Sequence, residues 1–294
     1  MRIDYPVVEY LVAEPIGAGE SPVWDAQQQF LYFIDIRAPA LLRLDYKSRG
    51  LQRWAMPSTI GGCGLCADGR IIVALRDGVH YFDLQTNRFE LICHPEVDRP
   101  TNRLNDAKVA PDGRFYVGSM DTRPDKQPVS GLFCVDPDGT CTRRLDGLVV
   151  SNGLAWSPDG LTMYHSDSRA SYVQAFDYDP STGGISNGKR IIALEEEEGR
   201  PDGAACDVDG YYWSAGVTAG CLNRIAPDGR IDRRVVLPVP APTMPCFGGP
   251  DLKTLFVTSL TSNRGGADVT GTVIAFPVDV PGAPVARFGE RLVR

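Results

Sequence analysis

Short apolar stretches alternate with tight turns along the whole chain. Six turn-forming aspartates are each followed by an apolar stretch rich in aromatic and β-branched residues; they are Asp25, Asp68, Asp112, Asp159, Asp209 and Asp251. Subtracting successive residue numbers gives intervals of 43, 44, 47, 50 and 42 residues. No stretch of helical length shows an apolar period of about 3.6 residues. The pattern therefore predicts short β-strands organised as an internal repeat.

A period of about 40–50 residues with three or four short strands per unit is typical of a β-propeller blade. The six repeats predict an all-β fold, a six-bladed β-propeller, in which residues 1–294 form a single domain. The 31 glycines and 23 prolines supply the many turns that such a fold needs. Residues 7–12 and 284–288 lie outside the repeats. Either segment could complete the last blade and close the ring, which would remove exposed strand edges.

The amino-acid composition argues against nucleic-acid and membrane partners. A hydrophobic content of 43% and a charged content of 23% are ordinary for a soluble globular protein. The net charge of −7 leaves no basic surplus to neutralise phosphates, which argues against a nucleic-acid partner. No segment approaches the roughly 18 apolar residues of a membrane span, and the N-terminus lacks the apolar core of a signal peptide. With eight scattered cysteines read as reduced thiols, we expect a cytoplasmic protein with no membrane partner.

Polar residues recur at one position of the repeat. Seven residues before each turn aspartate the chain has, in order, Ala18, Gly61, Asn105, Asn152, Asp202 and Met244. Three of these are polar, and Glu20 lies two residues after the first of them. In a propeller this segment enters the innermost strand of a blade, so side chains from different blades converge on the central channel. We therefore expect Glu20, Asn105, Asn152 and Asp202 to lie close together.

This set of residues suggests a metal site. Two carboxylates in a small space repel each other unless a cation or a proton intervenes. An all-oxygen donor set suits a hard divalent ion such as Ca²⁺, Mg²⁺ or Mn²⁺. No histidine occupies the repeat position, so an imidazole-based zinc site is not indicated, although His165 ends a predicted strand and could approach the channel. The alternative for each residue is that it caps or bends a loop, as asparagine and aspartate near turns often do.

Five motifs carry a resemblance to a known family. They occur in order with their spacing kept between residues 16 and 258, and they are Gly19-Glu20-Ser21-Pro22-Val23-Trp24, Arg103-Leu104-Asn105-Asp106-Ala107-Lys108, Ser151-Asn152-Gly153-Leu154-Ala155-Trp156, Arg200-Pro201-Asp202-Gly203 and Cys246-Phe247-Gly248-Gly249. Together they resemble the successive motifs of the SMP-30/gluconolactonase/LRE family. That family consists of six-bladed propellers with one catalytic divalent cation in the channel, and most of its members hydrolyse sugar lactones.

The resemblance implies a role for each matching residue. Glu20, Asn152 and Asp202 would be the protein ligands of one divalent cation, which could be Ca²⁺, Mn²⁺, Mg²⁺ or Zn²⁺. Asp202 would also be the catalytic acid/base, although a carboxylate bound to a metal has a lowered proton affinity and Asp106 could share that task. Arg103 and Asn105 would hold the substrate, a small sugar lactone. We expect the protein to be a monomer or a weak homo-oligomer.

One departure from the family pattern concerns the substrate. After Met120 the chain reads Asp121-Thr122-Arg123, where many members carry a loop with a glutamate that helps bind sugar hydroxyls. Asp121 could substitute for that glutamate as a substrate contact. Two alternatives to the lactonase remain open: hydrolysis of organophosphates or aryl esters on the same cation, and a calcium-binding or scaffold propeller without catalysis.

Overall fold

The computed structural model describes residues 1–263 and 268–292. In these two ranges the regular secondary structure is entirely β-strand, and no helix is long and apolar enough to cross a membrane. The strands form six separate sheets, five with four strands and one with five. Consecutive strands pair antiparallel within each sheet, which is the arrangement of a six-bladed β-propeller. The fold class predicted from the repeat is confirmed.

The strands of the first three blades follow one another without exchange between sheets. Before them come β1 (Arg2–Asp4) and β2 (Glu9–Tyr10). Blades 1, 2 and 3 comprise β3 (Gly19–Asp25), β4 (Phe30–Asp35), β5 (Ala40–Asp45) and β6 (Leu51–Ala55); β7 (Ile60–Leu65), β8 (Ile71–Leu75), β9 (Gly78–Asp83) and β10 (Arg88–Cys93); and β11 (Asn102–Val109), β12 (Phe115–Asp121), β13 (Ser130–Val135) and β14 (Cys141–Leu148).

The last three blades continue the same order. Blades 4, 5 and 6 comprise β15 (Ser151–Trp156), β16 (Thr162–Asp167), β17 (Tyr172–Asp179) and β18 (Gly184–Ala193); β19 (Pro201–Cys206), β20 (Tyr212–Gly216), β21 (Cys221–Ile225) and β22 (Ile231–Val236); and β23 (Pro242–Gly248), β24 (Thr254–Ser259) and β25 (Val273–Pro277). The strands predicted after the turn aspartates correspond to the second strand of each blade.

The N-terminal segment closes the ring. Strand β2 pairs antiparallel with β25 and so supplies the outermost strand of blade 6, while β1 adds a parallel fifth strand to blade 5. The C-terminal segment instead reaches blade 2, where the backbone N–H of Phe288 donates to Leu65 O and that of Ala67 donates to Phe288 O. Of the two segments considered from the sequence, it is therefore the N-terminal one that completes the last blade.

The hydrophobic core lies between blades. Trp24 of blade 1 stacks on Phe256 of blade 6, with ring centroids 5.4 Å apart. Ile72 of blade 2 and Phe115 of blade 3 share a second buried cluster. Packing of this kind fills the wedges between neighbouring sheets. The innermost strands are consequently held by apolar contacts on their flanks, which leaves the central channel to polar side chains.

Candidate metal and substrate site

The residues of the repeat position lie on innermost strands that are bulged at that position. Pairing with the second strand of the blade shifts between Glu20 and Val23, between Leu104 and Ala107, between Asn152 and Ala155, and between Pro201 and Ala204. A β-bulge bends its strand and changes the direction of the side chains there. The bulges explain why polar residues inside otherwise buried strands face the channel.

The bulges depend on unusual backbone conformations. Ser21 and Gly153 both have positive φ, 48° and 63°. A Cβ atom at Gly153 would lie 2.2 Å from the hydroxyl of Tyr212 and 2.4 Å from that of Ser166. Only glycine fits this position, both for its φ and for the space available. The Asn-Gly pair in blade 4 is therefore a requirement of the bulge that presents Asn152.

One cavity of about 360 Å³ brings most of the predicted residues together. It is lined by Glu20, Arg103, Asn105, Asn152 and Asp202, along with side chains from the loops around the channel. Each of these five comes from an innermost strand, and they represent blades 1, 3, 4 and 5. The convergence expected from the repeat is present in the structure.

Hydrogen bonds connect the amides and one carboxylate. Asn105 Nδ2 donates to Asn152 Oδ1 at 3.1 Å and to Ser151 O at 2.9 Å. Asn152 Nδ2 donates to Asp202 Oδ1 at 2.8 Å and to Ser168 Oγ at 2.6 Å. Asn105 therefore orients Asn152, which in turn fixes one oxygen of Asp202.

The carboxylates of the cavity resist ionisation. Burial, and then the charges of Asp202 and Asp106, raise the pKa of Glu20 well above its usual value. Burial and the charge of Asp106 raise the pKa of Asp202 to about 7. Burial also lowers the pKa of Arg103, to about 10, against the opposing effect of Glu20. Three carboxyl groups thus compete for charge in one region, and a bound cation would relieve the repulsion between them.

These shifts predict how the stability of the cation-free protein depends on pH. Because the pKa of Asp202 is raised on folding, its contribution to the free energy of unfolding is fully present below its unfolded value of about 3.9. That contribution is lost as pH rises towards about 7. In the presence of chelator, Tm should therefore fall between pH 4 and pH 7 by more in the wild-type protein than in Asp202→Asn. Thermal melts across this pH range measure the fall in Tm. An equal fall in the wild-type protein and in Asp202→Asn would show that ionisation of Asp202 does not destabilise the fold.

An acidic and a basic side chain are buried on the same strand, outside the lining of the cavity. Asp106 and Lys108 are both buried and neither lines the cavity. Asp106 Oδ2 accepts the backbone N–H of Leu154 at 3.1 Å, and Oδ1 has no hydrogen-bond partner among the described residues. Lys108 Nζ donates to the carbonyl of Ala204. In this position Asp106 influences the charges above it and does not reach a molecule in the cavity, so its expected share in proton transfer does not fit the structure.

Asp121 is placed differently from the expectation. Its side chain is fully buried and does not line the cavity. One oxygen accepts the backbone N–H of Arg123 at 3.1 Å, the other accepts that of Gln127 at 2.8 Å, and the guanidinium of Arg123 lies 2.8 Å away. The expected substrate contact does not fit this arrangement, because both oxygens already hold the β12–β13 loop.

His165 is also part of the structure and not of the cavity. Its ring lies between Ser151 Oγ, 2.8 Å from Nε2, and Gln174 Nε2, 3.0 Å from Nδ1. Burial lowers its pKa to about 3, so the ring is neutral. His165 supports Ser151, the residue that precedes Asn152.

Sequence reasoning missed four cationic residues of the cavity. Its lining also includes Arg37, Lys126, Arg169 and Arg200, all from loops at the ends of strands. A signal for two of them was present, since Asp-Ile-Arg at 35–37 and Asp-Ser-Arg at 167–169 occupy the same place in blades 1 and 4. Both arginines lie in loops, outside the innermost strands on which the repeat position of the site residues falls.

The donor set fits a hard cation under one condition. Among the described residues, no group of three or more histidine, cysteine or carboxylate side chains could hold a metal ion, so Glu20 and Asp202 need the amide oxygen of Asn152. The Nδ2 atom of Asn152 faces Asp202, and binding through this amide requires a rotation that exchanges nitrogen and oxygen. Two carboxylates with raised pKa values and one amide provide the oxygen chemistry that Ca²⁺, Mg²⁺ or Mn²⁺ prefers.

Known proteins resemble the chain over most of its length. A regucalcin of Xenopus laevis is 35% identical over 257 residues, covering 86% of each chain. A 6-deoxy-6-sulfogluconolactonase of Pseudomonas putida is 36% identical over 280 residues, covering 92% of this chain and 95% of its own.

Solved structures share the fold. A calcium-binding protein, regucalcin, of Agrobacterium tumefaciens superposes with a TM-score of 0.91 at 24% identity and covers 98% of this chain and 99% of its own. The model of the SMP-30/Gluconolactonase/LRE-like region matches residues 18–261, a range that includes all the residues that line the cavity. The chain therefore belongs to the SMP-30/gluconolactonase/LRE-like family.

Proposed function

We propose that this protein is a hydrolase that depends on a divalent cation and opens sugar lactones to the corresponding aldonic acids. The observation that carries the proposal is the convergence of Glu20, Asn152 and Asp202 with Arg103 and Asn105 in one cavity. The name of the Pseudomonas putida relative, a sulfogluconolactonase, supports a lactone as the class of substrate.

Glu20, Asn152 and Asp202 would hold the cation. When bound, it would polarise the lactone carbonyl and stabilise the negative charge that develops on the carbonyl oxygen. The Gly153 bulge places the Asn152 side chain at the cavity before the cation binds. Rotation of the Asn152 amide would then turn its oxygen towards the cation and give up the 3.1 Å hydrogen bond that this oxygen accepts from Asn105.

Asp202 is proposed to move the proton. Its carboxylate takes a proton from the attacking water as the new C–O bond forms. It then returns that proton to the ring oxygen as the ring C–O bond breaks, which leaves the aldonic acid. Burial and Asp106 raise the pKa of Asp202 to about 7 in the cation-free cavity, and a bound cation would lower it and so keep the carboxylate ionised as the proton acceptor. Arg103 and Asn105 bind and orient the substrate.

Arg103 offers a separate test of substrate contact. Its guanidinium is half-buried at the cavity, and NH1 donates to Leu104 O at 2.8 Å, which leaves its other donors for a substrate. In Arg103→Lys, kcat/KM should fall about tenfold or more for a polyhydroxylated lactone and much less for an unsubstituted lactone of the same ring size. Steady-state kinetics on both substrates measure this. An equal loss on both would mean that Arg103 only orders its loop.

The function itself is tested by a pH-indicator assay on a panel of aldonolactones, with and without chelator. An aryl ester and an organophosphate serve as comparison substrates. Lactone hydrolysis that chelation abolishes and the cation restores supports the proposal. Faster turnover of the ester or organophosphate would replace the substrate class, and cation binding without any turnover would indicate a binding protein.

A further inference from the structure

The cavity carries more positive than negative charge. Among the described residues, five cationic side chains line it, and they are Arg37, Arg103, Lys126, Arg169 and Arg200. The carboxylates that line it with them in the same part of the chain are Glu20 and Asp202. The whole chain has the opposite balance, with a net charge of −7. The cationic lining is therefore a local property of this cavity.

These five cations lack the carboxylate partners that several arginines have elsewhere in the protein. Arg114 and Arg224 each lie against two or more carboxylates, and Arg99 pairs with Asp146 at 3.0 Å. Across residues 1–263 and 268–292, none of the five cavity cations forms an ion pair. Their charge is free to act on a molecule in the cavity.

A recurring turn shows that the missing pairs are not a consequence of the fold. Asp-x-Arg ends the second strand in blades 1, 3 and 4, and in blades 3 and 4 the aspartate accepts the arginine's backbone N–H at 3.1 Å. In blade 3 the guanidinium of Arg123 also folds back onto Asp121, 2.8 Å away. In blade 4, Arg169 does not pair with Asp167, and its side chain lines the cavity.

Two of the cations come from loops and not from the innermost strands that hold the carboxylates. Lys126 lies in the β12–β13 loop and Arg169 in the β16–β17 turn, whereas Glu20 and Asp202 lie on β3 and β19. Lys126 Nζ donates to the carbonyl of Asp121, at 2.5 Å. The charges of Arg103 and Arg169 add to burial in lowering the pKa of Lys126, as expected of cations that line one cavity. Lys126 and Arg169 are called the cationic end of the cavity below.

We infer that the substrates of this enzyme are lactones with an anionic group, a carboxylate, sulfonate or phosphate, at the end remote from the ring carbonyl. Lys126 and Arg169 bind that group while the carbonyl lies near Glu20 and Asp202. This inference rests on the proposed lactonase function. Two cations that form no ion pair with a carboxylate among the described residues, and that line one cavity, are an arrangement suited to an anion, because charge-assisted hydrogen bonds are the stronger ones.

The test compares lactones that differ only at the remote carbon. D-Glucono-1,5-lactone is the neutral substrate, and its 6-phospho, 6-deoxy-6-sulfo and 6-carboxylate counterparts are the anionic ones. The wild-type protein should prefer at least one anionic lactone over the neutral one in kcat/KM by about tenfold or more. In Lys126→Met and in Arg169→Met the anionic-to-neutral ratio of kcat/KM should fall about tenfold. The three anions show which charged group the cavity accepts.

Arg190→Met is the matched control. It removes the same charge from the same blade, but Arg190 lies on the outer strand with its guanidinium 4.0 Å from the ring centroid of Tyr172. Its anionic-to-neutral ratio should stay within about twofold of the wild-type value, since it does not line the cavity. A wild-type preference for the neutral lactone, or an equal fall in the ratio for all three variants, overturns the inference.

A binding measurement separates this inference from the proposed function. Calorimetric titration with 6-phosphogluconate and with gluconate requires no turnover. The wild-type protein should bind 6-phosphogluconate about tenfold or more tightly than gluconate, and Lys126→Met/Arg169→Met should lose that difference. If no lactone is hydrolysed but 6-phosphogluconate still binds more tightly than gluconate, the proposed lactonase function is wrong and the proposed anion site is supported. Equal Kd values for both ligands overturn the anion site whatever the activity.

Discussion

Asp202→Asn should lower kcat for lactone hydrolysis by a factor of about 10² to 10⁴, the range of general acid–base catalysis. Asparagine keeps an oxygen that can accept the 2.8 Å hydrogen bond from Asn152, but it cannot accept a proton. The fold should be retained, since Asp202 faces a cavity and not a packed interface between sheets. Kinetics and thermal melts on the same preparation measure both quantities.

A matched control for this variant is Asp251→Asn. Asp251 is exposed and is one of the six turn aspartates of the repeat. Its side chain accepts a hydrogen bond from the backbone N–H of Lys253, and an asparagine oxygen can accept the same bond. Its kcat should equal that of the wild-type protein. If Asp202→Asn retains more than about a tenth of the wild-type rate, the loss is below the smallest general-base effect and Asp202 is not the acid/base.

Lys108→Met should produce the largest loss of stability, about 3 kcal/mol in the free energy of unfolding. Lys108 and Asp106 are both buried, and the charge of Lys108 opposes the burial that raises the pKa of the Asp106 carboxyl. Removing it leaves Asp106 without compensation and leaves the carbonyl of Ala204 without its donor. Urea unfolding measures the change, and Lys253→Met, at an exposed position, should stay within about 0.5 kcal/mol.

The double variant Asp106→Asn/Lys108→Met tests the cause of that loss. If charge is the reason, removing both charges should destabilise the protein by less than the sum of the two single changes, with a coupling energy of about 1 kcal/mol or more. Strict additivity would show that Lys108 acts only through the packing of its aliphatic chain.

The architecture could be predicted because each unit of the repeat is specified by residues that are close together in sequence. Neighbouring residues determine each turn and the strand after it, so six turns predict six blades. The polar residues at one repeat position predict a common site. Local signals of this kind could not show which segment closes the ring. Residues 7–12 and 284–288 were both left outside the repeats, and only pairing with β25 or with residues 65–67 distinguishes them.

The details of the site depend on contacts between distant residues. The hydrogen bonds from Asn105 to Asn152 and from Asn152 to Asp202 join residues 47 and 50 positions apart, so the sequence does not reveal them. Asp121 resembled a substrate contact in sequence, but its oxygens are satisfied by Arg123 and Gln127 only a few residues away. The cationic end of the cavity was missed because Lys126 and Arg169 lie in loops, where sequence periodicity carries no information about direction.

Titration of the chelated protein with Ca²⁺, Mg²⁺, Mn²⁺ and Zn²⁺, followed together by calorimetry, Tm and lactone hydrolysis, tests the central claim most directly. We expect one cation to bind per chain, Tm to rise with cation concentration because the ion binds only the folded state, and turnover to be restored in step. Glu20→Gln should weaken all three responses. Chelated and cation-loaded proteins that melt at the same temperature and hydrolyse lactones at the same rate would contradict a cation-dependent lactonase.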